Sequence, residues 1–160
     1  MIRKSNYKAE LLAALGRRVQ AFQDATDEVD QAVAERLDLN RTDLRCLSVL
    51  SQRGATSASA LAGAMGLTRG AMTTVLDRLE AAGYARRVWD QQDRRAVRVE
   101  LTPSARTHIT SLYGPLAREG SKRLQQYTVA ELTAVLKYLE DGRELQRAHA
   151  QNIRSRRSRR

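Results

Sequence analysis

Six residues between Thr68 and Arg78 have the types and spacing to read the edges of base pairs. Thr68, Arg69, Gly70, Thr73, Thr74 and Arg78 fall on the polar side of a run whose apolar members recur every three or four residues. Arginine pairs bidentately with guanine, and threonine donates, accepts or touches a thymine methyl. Gly70 adds no side chain, so the backbone there can come close to a phosphate or a base. A second cationic cluster, Arg94 and Arg95, sits in the stretch WDQQDRRA. Adjacent arginines at a loop tip suit a narrow, strongly negative minor groove. The plainer alternatives are an ordinary solvated helix face, and arginines that only pair with Asp77, Asp90 or Asp93.

These side chains need elements to hold them. Leu61, Ala62 and Met65 form one apolar periodic run, and Met72, Val75, Leu76 and Leu79 form a second. Gly66-Leu67-Thr68 separates them, so the pattern is a helix-turn-helix. Thr68 stands at the N-cap position and Gly83 suits a left-handed cap, which predicts a helix over about 69–82. Ser57 caps the shorter preceding helix, and Ser59 in its first turn is placed to touch phosphate. Val97, Val99 and Leu101 alternate with Arg98 and Glu100 as a half-buried strand. Tyr84, Arg86 and Val88 give a matching strand less cleanly, with the arginine loop between.

The remaining chain reads as helices. Leu12, Leu15, Val19, Phe22, Val29, Val33 and Leu37 approach a heptad seam along one long N-terminal helix, which needs a partner surface. Asp24, Asp27, Glu28 and Asp30 on it would repel DNA, so this part should face away from it. Asn40 with Asp43 resembles a capping box, Leu39 with Leu44 a hydrophobic staple, and Gly54 ends that helix. Thr102 caps another helix with Pro103 at its first position, and Pro115 beside Gly114 should kink or break it. Leu132, Leu136 and Leu139 line a last helix, weakened at Gly142. Leu12, Leu15, Val19, Leu132, Leu136 and Leu139 are the candidate dimer contacts. From Arg154 the chain is serine and arginine alone, which predicts disorder and access to phosphates.

The fold class is therefore mainly α: a winged helix-turn-helix with a two-stranded β-hairpin wing and a helical dimerisation module of N- and C-terminal helices. The expected divisions are 1–38 for the N-terminal helix, 39–102 for the winged unit, 103–152 for the C-terminal helices and 153–160 for a disordered tail.

Composition narrows the function. The 160 residues carry a formal net charge of +10, which favours a polyanionic partner. The tail IRSRRSRR holds five arginines, so about +5 persists without it. One cysteine excludes an internal disulfide. The start MIRKSNYKAELL lacks the apolar core of a signal peptide, and no run has the roughly 20 apolar residues of a membrane span, so the expected location is the cytoplasm. His108 and His149 do not have the spacing of a zinc site, and GLTRGA lacks the phosphate-loop pattern and its lysine. No cofactor, metal or catalytic residue is expected, and an enzyme is the least supported class.

The stretches LNRTDLRCLSVL, SALAGAMGLTRGAMTTVLDRLEAAGYARR and DQQDRRAVRVELTPSA together resemble the MarR family of winged-helix regulators. The resemblance covers Leu39 to Ser104 and rests on DRLE followed by a glycine, the wing D-x-x-D-R-R and the closing L-T. It implies a homodimer on a pseudopalindromic operator, with Thr68, Arg69, Thr73 and Arg78 in the recognition helix and Arg94 at the wing tip. Family members often carry arginine where this chain has Thr74, which bears on base preference rather than binding mode. The resemblance also implies a crevice for small aromatic acids. Tyr7, Phe22, His108 and Tyr113 are candidates to line it, because they offer aromatic surface or a polar handle. Some relatives sense oxidants through a cysteine near the start of the first long helix. This chain has none there, and Cys46, between Leu44 and Leu47, reads as core. The function these features point to is a homodimeric, sequence-specific regulator, a repressor released by a small ligand. The alternatives are a low-specificity architectural DNA-binding protein and a winged-helix protein–protein adaptor.

Overall fold

The computed structural model describes the backbone of residues 2–89 and 96–157 and the side chains of residues 7–89 and 96–155. The elements in order are α1 (Ile2–Arg36), α2 (Arg41–Arg53), α3 (Ala58–Met65), α4 (Arg69–Ala81), β1 (Ala85–Trp89), β2 (Val97–Leu101), α5 (Pro103–Leu124) and α6 (Val129–Arg157). The chain divides into two compact units, Met1–Leu112 and Tyr113–Arg160, with the boundary inside α5.

In the first unit, side chains at three- and four-residue spacing converge on one core. Leu47 and Leu50 come from α2, Leu61 from α3, Met72, Leu76 and Leu79 from α4, and Val99 from β2; all are sealed from solvent. Burying a side chain of this size stabilises by about 1.5–3 kcal/mol. Ala105 from the start of α5 closes the cluster. The helix ends follow local chemistry. Asn40, Ser57 and Thr68 cap α2, α3 and α4, each side-chain oxygen accepting from a backbone N–H of the first turn. Thr102 does the same for α5, accepting from Ala105 N. Gly66 adopts the left-handed conformation (φ 68°, ψ 32°) that lets α3 stop and the chain turn at once into α4.

β1 and β2 pair antiparallel, in register from Ala85 opposite Leu101 to Trp89 opposite Val97. Tyr84 precedes β1 and donates its hydroxyl hydrogen to the Leu37 carbonyl, tying the hairpin base to the end of α1. Thr56 forms a bridge to Val99 on the outer side of β2, a short third strand position with no alternating pattern to announce it.

Only the C-terminal end of α1 is sealed from solvent: Val33 and Ala34, with Leu37 just past it, are buried, whereas Leu12, Leu15 and Phe22 are exposed. The near-heptad seam therefore does not find its partner surface within its own unit.

The second unit holds the end of α5 and all of α6. Thr128 and Glu131 form a reciprocal cap, Thr128 Oγ1 accepting from Glu131 N and the Glu131 carboxylate accepting from Thr128 N. The backbone hydrogen bond from Thr128, helped by that of its hydroxyl, lowers the Glu131 pKa below the usual carboxylate range. Among the described residues of α6 none is buried, and Leu136 and Leu139 are 62% and 57% exposed.

Two expectations are corrected. Of the kink or break expected at Pro115, the break does not occur: α5 runs through it from Pro103 to Leu124. α6 is continuous through Gly142, where the sequence places a weak point. The arginine-rich end, expected to be disordered from residue 153, is helical through Arg157, because Leu145–Gln151 and the residues after it add no proline or glycine to stop α6. Residues 158–160 lie outside the described residues. No helix of the described residues is long and apolar enough to cross a membrane.

Candidate nucleic-acid interface

α4 has two sides with different work. Met72, Val75, Leu76 and Leu79 are buried in the core. Arg69, Gly70, Thr73, Thr74, Asp77 and Arg78 are exposed. A Cβ built on Gly70 would meet nothing within 4 Å, so folding does not require glycine there. Thr73 and Thr74 donate their hydroxyl hydrogens to the carbonyls of Arg69 and Gly70, at 3.1 and 3.2 Å. As held, each hydroxyl offers only lone pairs and a methyl outward. That suits the amino hydrogens of adenine or cytosine and the thymine methyl. Thr68 is occupied as the cap of α4, accepting from Ala71 N. Ser57 caps α3 and shares a hydrogen bond with Ser59, 3.0 Å between hydroxyl oxygens.

Arg78 is placed differently from its neighbours. Its Nε and Nη2 donate to the two carboxylate oxygens of Asp43 on α2, at 3.0 and 2.6 Å. Asp43 is 3% exposed, the one buried charged residue among those described. Its backbone N–H donates to Asn40 Oδ1, and its Oδ2 also accepts from Asn40 Nδ2. This carboxylate thus joins the α2 cap to the recognition helix. The hydrogen bond to Asp43 raises the Arg78 pKa above its already high ordinary value, and the guanidinium stays charged. Arg78, expected to meet DNA, is thus also the partner of Asp43 in the single chain, and remains exposed beside it. Asp43 itself was legible only as part of a capping box. The one further signal was an acid inside the apolar arc of α2, next to Leu44 and Leu47.

A groove of about 560 Å³ opens between the first turn of α2 and the outer side of α4, lined in part by Arg41, Thr42, Leu67, Thr74 and Arg78.

The hairpin is fixed to α4 by charge. Arg87 donates to Asp77 at 2.9 Å and also pairs with Glu80. The hydrogen bond to Asp77 leads in raising the Arg87 pKa, with Glu80 adding to it. Asp77 is thus engaged by Arg87, a residue not singled out from the sequence. Arg86 and Glu100, directly opposite across the strands, pair at 2.6 Å. Arg98 Nη1 donates to the Ala55 carbonyl at 3.2 Å. Arg94 and Arg95, expected at the wing tip, lie outside the described residues, as do Asp90 and Asp93.

The remaining expected sites are not brought together within one unit. Tyr7 and Phe22 are exposed on α1, and the helical rise between them is about 22 Å. His108 is exposed and Tyr113 half-buried, on either side of the unit boundary in α5. Cys46 is buried, and burial, with Asp43 adding to it, pushes its thiol up to about 11. Among the described residues no group of three or more His, Cys, Asp and Glu is placed to hold a metal.

A two-helix turn unit with one sealed and one open face on its second helix, followed at once by a braced hairpin, defines a winged-helix DNA-binding protein. The MarR family model matches residues 39–97. The HTH-type transcriptional regulator YcgE of Bacillus subtilis is 33% identical over 130 residues, spanning 81% of this chain and 80% of that protein. The multiple antibiotic resistance protein MarR of Salmonella typhimurium is 26% identical, over 78% of this chain and 87% of its own. Among solved structures, a MarR family protein from Bacillus stearothermophilus superposes with a TM-score of 0.64 at 18% identity, covering 86% of this chain and 96% of the other. Wild-type MarR from E. coli gives 0.53 at 22% identity, covering 80% and 95%. The chain belongs to the MarR family. It is a DNA-binding transcriptional regulator and not an enzyme.

Proposed function

We propose that the protein is a homodimeric repressor that binds a pseudopalindromic operator and leaves it when a small aromatic ligand binds. The observation that carries this reading is the two-sided α4, its apolar side sealed and Arg69, Gly70, Thr73 and Thr74 open. On this reading Arg69, Thr73 and Thr74 meet base edges, and Gly70 admits close approach. Ser57, Ser59 and Thr68 hold phosphates, and Arg78 positions α4 through Asp43. Arg94 and Arg95 are assigned to the adjacent minor groove on sequence grounds. The dimer is supported by the unpartnered leucines: Leu12 and Leu15 on α1, and Leu136 and Leu139 on α6, are all exposed in the single chain. With Val19 and Leu132, both half-buried, they are the contacts a second copy would cover. Two copies would place their recognition helices in successive major grooves, with half-sites about ten base pairs apart.

A ligand would act by favouring a dimer geometry whose spacing no longer matches the operator. Tyr7, Phe22, His108 and Tyr113 are its candidate contacts. The proposed location is the cytoplasm, where the operator is.

Selection of random duplex DNA by the purified protein, near physiological salt, tests the reading. A retained pseudopalindrome with that spacing is the expected result. Retention without a motif would replace the regulator with an architectural protein, and no retention at any salt with an adaptor. Addition of small aromatic carboxylic acids should release the selected duplex; retention across a panel of them would remove the ligand step.

A further inference from the structure

The last third of the second unit carries charge that the winged unit does not use. From Leu145 to the end the sequence contains six arginines and no aspartate or glutamate. Since α6 continues to Arg157, four of the six, at positions 147, 154, 156 and 157, fall within the helix. Arg143, Arg147 and Arg154 are four and seven residues apart, and position 157 follows three further on. At 3.6 residues per turn these four positions share one side of the helix. The stretch rises about 21 Å, the length of roughly six base pairs.

The three described arginines of this stripe are exposed. Among the described residues no ion pair engages any of them. The contrast lies one turn earlier, where Lys137 pairs with Asp141 at 3.1 Å and cancels its own charge. Ala150, small and neutral, is the residue between Arg147 and Arg154 on the same side. The three described arginines thus stand exposed on one side of a continuous helix without an ion-pair partner.

We infer that this stripe is a second DNA-contacting surface, binding the phosphate backbone of duplex DNA without regard to sequence. Guanidinium forks match phosphate oxygens bidentately and stay charged at any physiological pH. A duplex supplies phosphates at regular spacing, which a rigid row meets without further ordering. A membrane surface fits less well. Helices that lie in lipid headgroups oppose their basic side with a wide, bulky apolar one. Residues 145–157 have only Leu145 and Ile153 as large apolar side chains, with His149, Asn152 and Ser155 among their neighbours away from the stripe. The inference adds to the DNA binding of the winged unit and does not depend on the dimer, the repressor role or the ligand.

The test uses the full chain and a variant with Arg143→Gln, Arg147→Gln, Arg154→Gln and Arg157→Gln together. Binding to a duplex of scrambled sequence is followed by fluorescence anisotropy between about 50 and 200 mM salt. Each phosphate neutralised contributes about 0.9 to the slope of log affinity against log salt, so the variant should lose about 3.6 of that slope. Replacing the same four arginines by lysine should restore most of it, and far-ultraviolet circular dichroism should show helix retained in both. Base preference in a random-duplex selection should be unchanged. A glutamine variant with the wild-type slope, while wild type binds duplex, overturns the inference and leaves the winged unit intact. A variant that loses binding to phosphatidylserine vesicles but not to duplex overturns it in favour of a membrane. Wild-type protein that binds no duplex at low salt overturns both this surface and the regulator.

Discussion

Replacing Arg78 by methionine would leave the Asp43 carboxylate 3% exposed with only Asn40 beside it. An uncompensated buried charge costs about 3 kcal/mol or more. Replacing Asp43 by asparagine is gentler: the shape persists, the capping contacts with Asn40 can persist, and the half-exposed Arg78 turns to water. Losing a charge-assisted hydrogen bond of this kind costs about 1.5 kcal/mol. The pair should therefore be asymmetric. Asp43→Asn added to Arg78→Met should recover stability, because it removes the stranded charge. Urea unfolding followed by circular dichroism, at one fixed protein concentration, gives all four corners of the cycle. Additive single effects would refute the buried pair as the link. The same variants separate positioning from reading. If Arg78 positions α4, Asp43→Asn lowers affinity for the selected operator. If Arg78 reads a base, Asp43→Asn frees its fork and operator affinity holds or rises. Equal or improved operator binding by Asp43→Asn would refute the positioning role.

Gly70→Ala should stabilise the fold by up to about 1 kcal/mol, since a Cβ there meets open space and alanine is the better helix former. The same change should weaken operator binding; unchanged affinity would show that no close backbone approach occurs at Gly70. Leu136→Glu with Leu139→Glu should give a monomer by sedimentation and abolish binding to paired half-sites, with α4 intact. A dimer surviving both would remove this face of α6 from the interface. Cys46 has its thiol held at about 11 by burial, so native protein should resist alkylation that an unfolded control undergoes readily. Because the folded pKa is raised, this contribution to stability is full below the ordinary thiol range and is lost as pH rises through it toward 11. Cys46→Ala should lose less stability than wild type over that window; identical losses would show that Cys46 is not the group titrating.

Periodic apolar residues and caps are local signals, and they placed most of the winged unit. Met72, Val75, Leu76 and Leu79 identified the inner side of α4. Asn40, Ser57, Thr68 and Thr102 marked four helix starts, because each cap needs only its own first turn. The exposed reading face followed by subtraction. What the sequence could not disclose depends on partners far apart in the chain. Asp43 and Arg78 are 35 residues apart, and only the packing of α2 on α4 makes one the counter-ion of the other. Arg87 likewise meets Asp77 and Glu80 because the hairpin folds back on α4. Tyr84 reaches the Leu37 carbonyl across 47 residues.

Composition misjudged the end of the chain for a related reason. A serine–arginine run has no apolar side to bury and so reads as disorder. Attached to a helix already capped at Thr128 and running without a breaker, residues 154–157 of that run simply extend it. Extending a helix costs far less than starting one. Sequence alone determined the family, the α4 face and the abundance of positive charge. The tertiary structure decided which arginine the buried Asp43 carboxylate holds, and that Arg143, Arg147 and Arg154 stand exposed on one continuous helix.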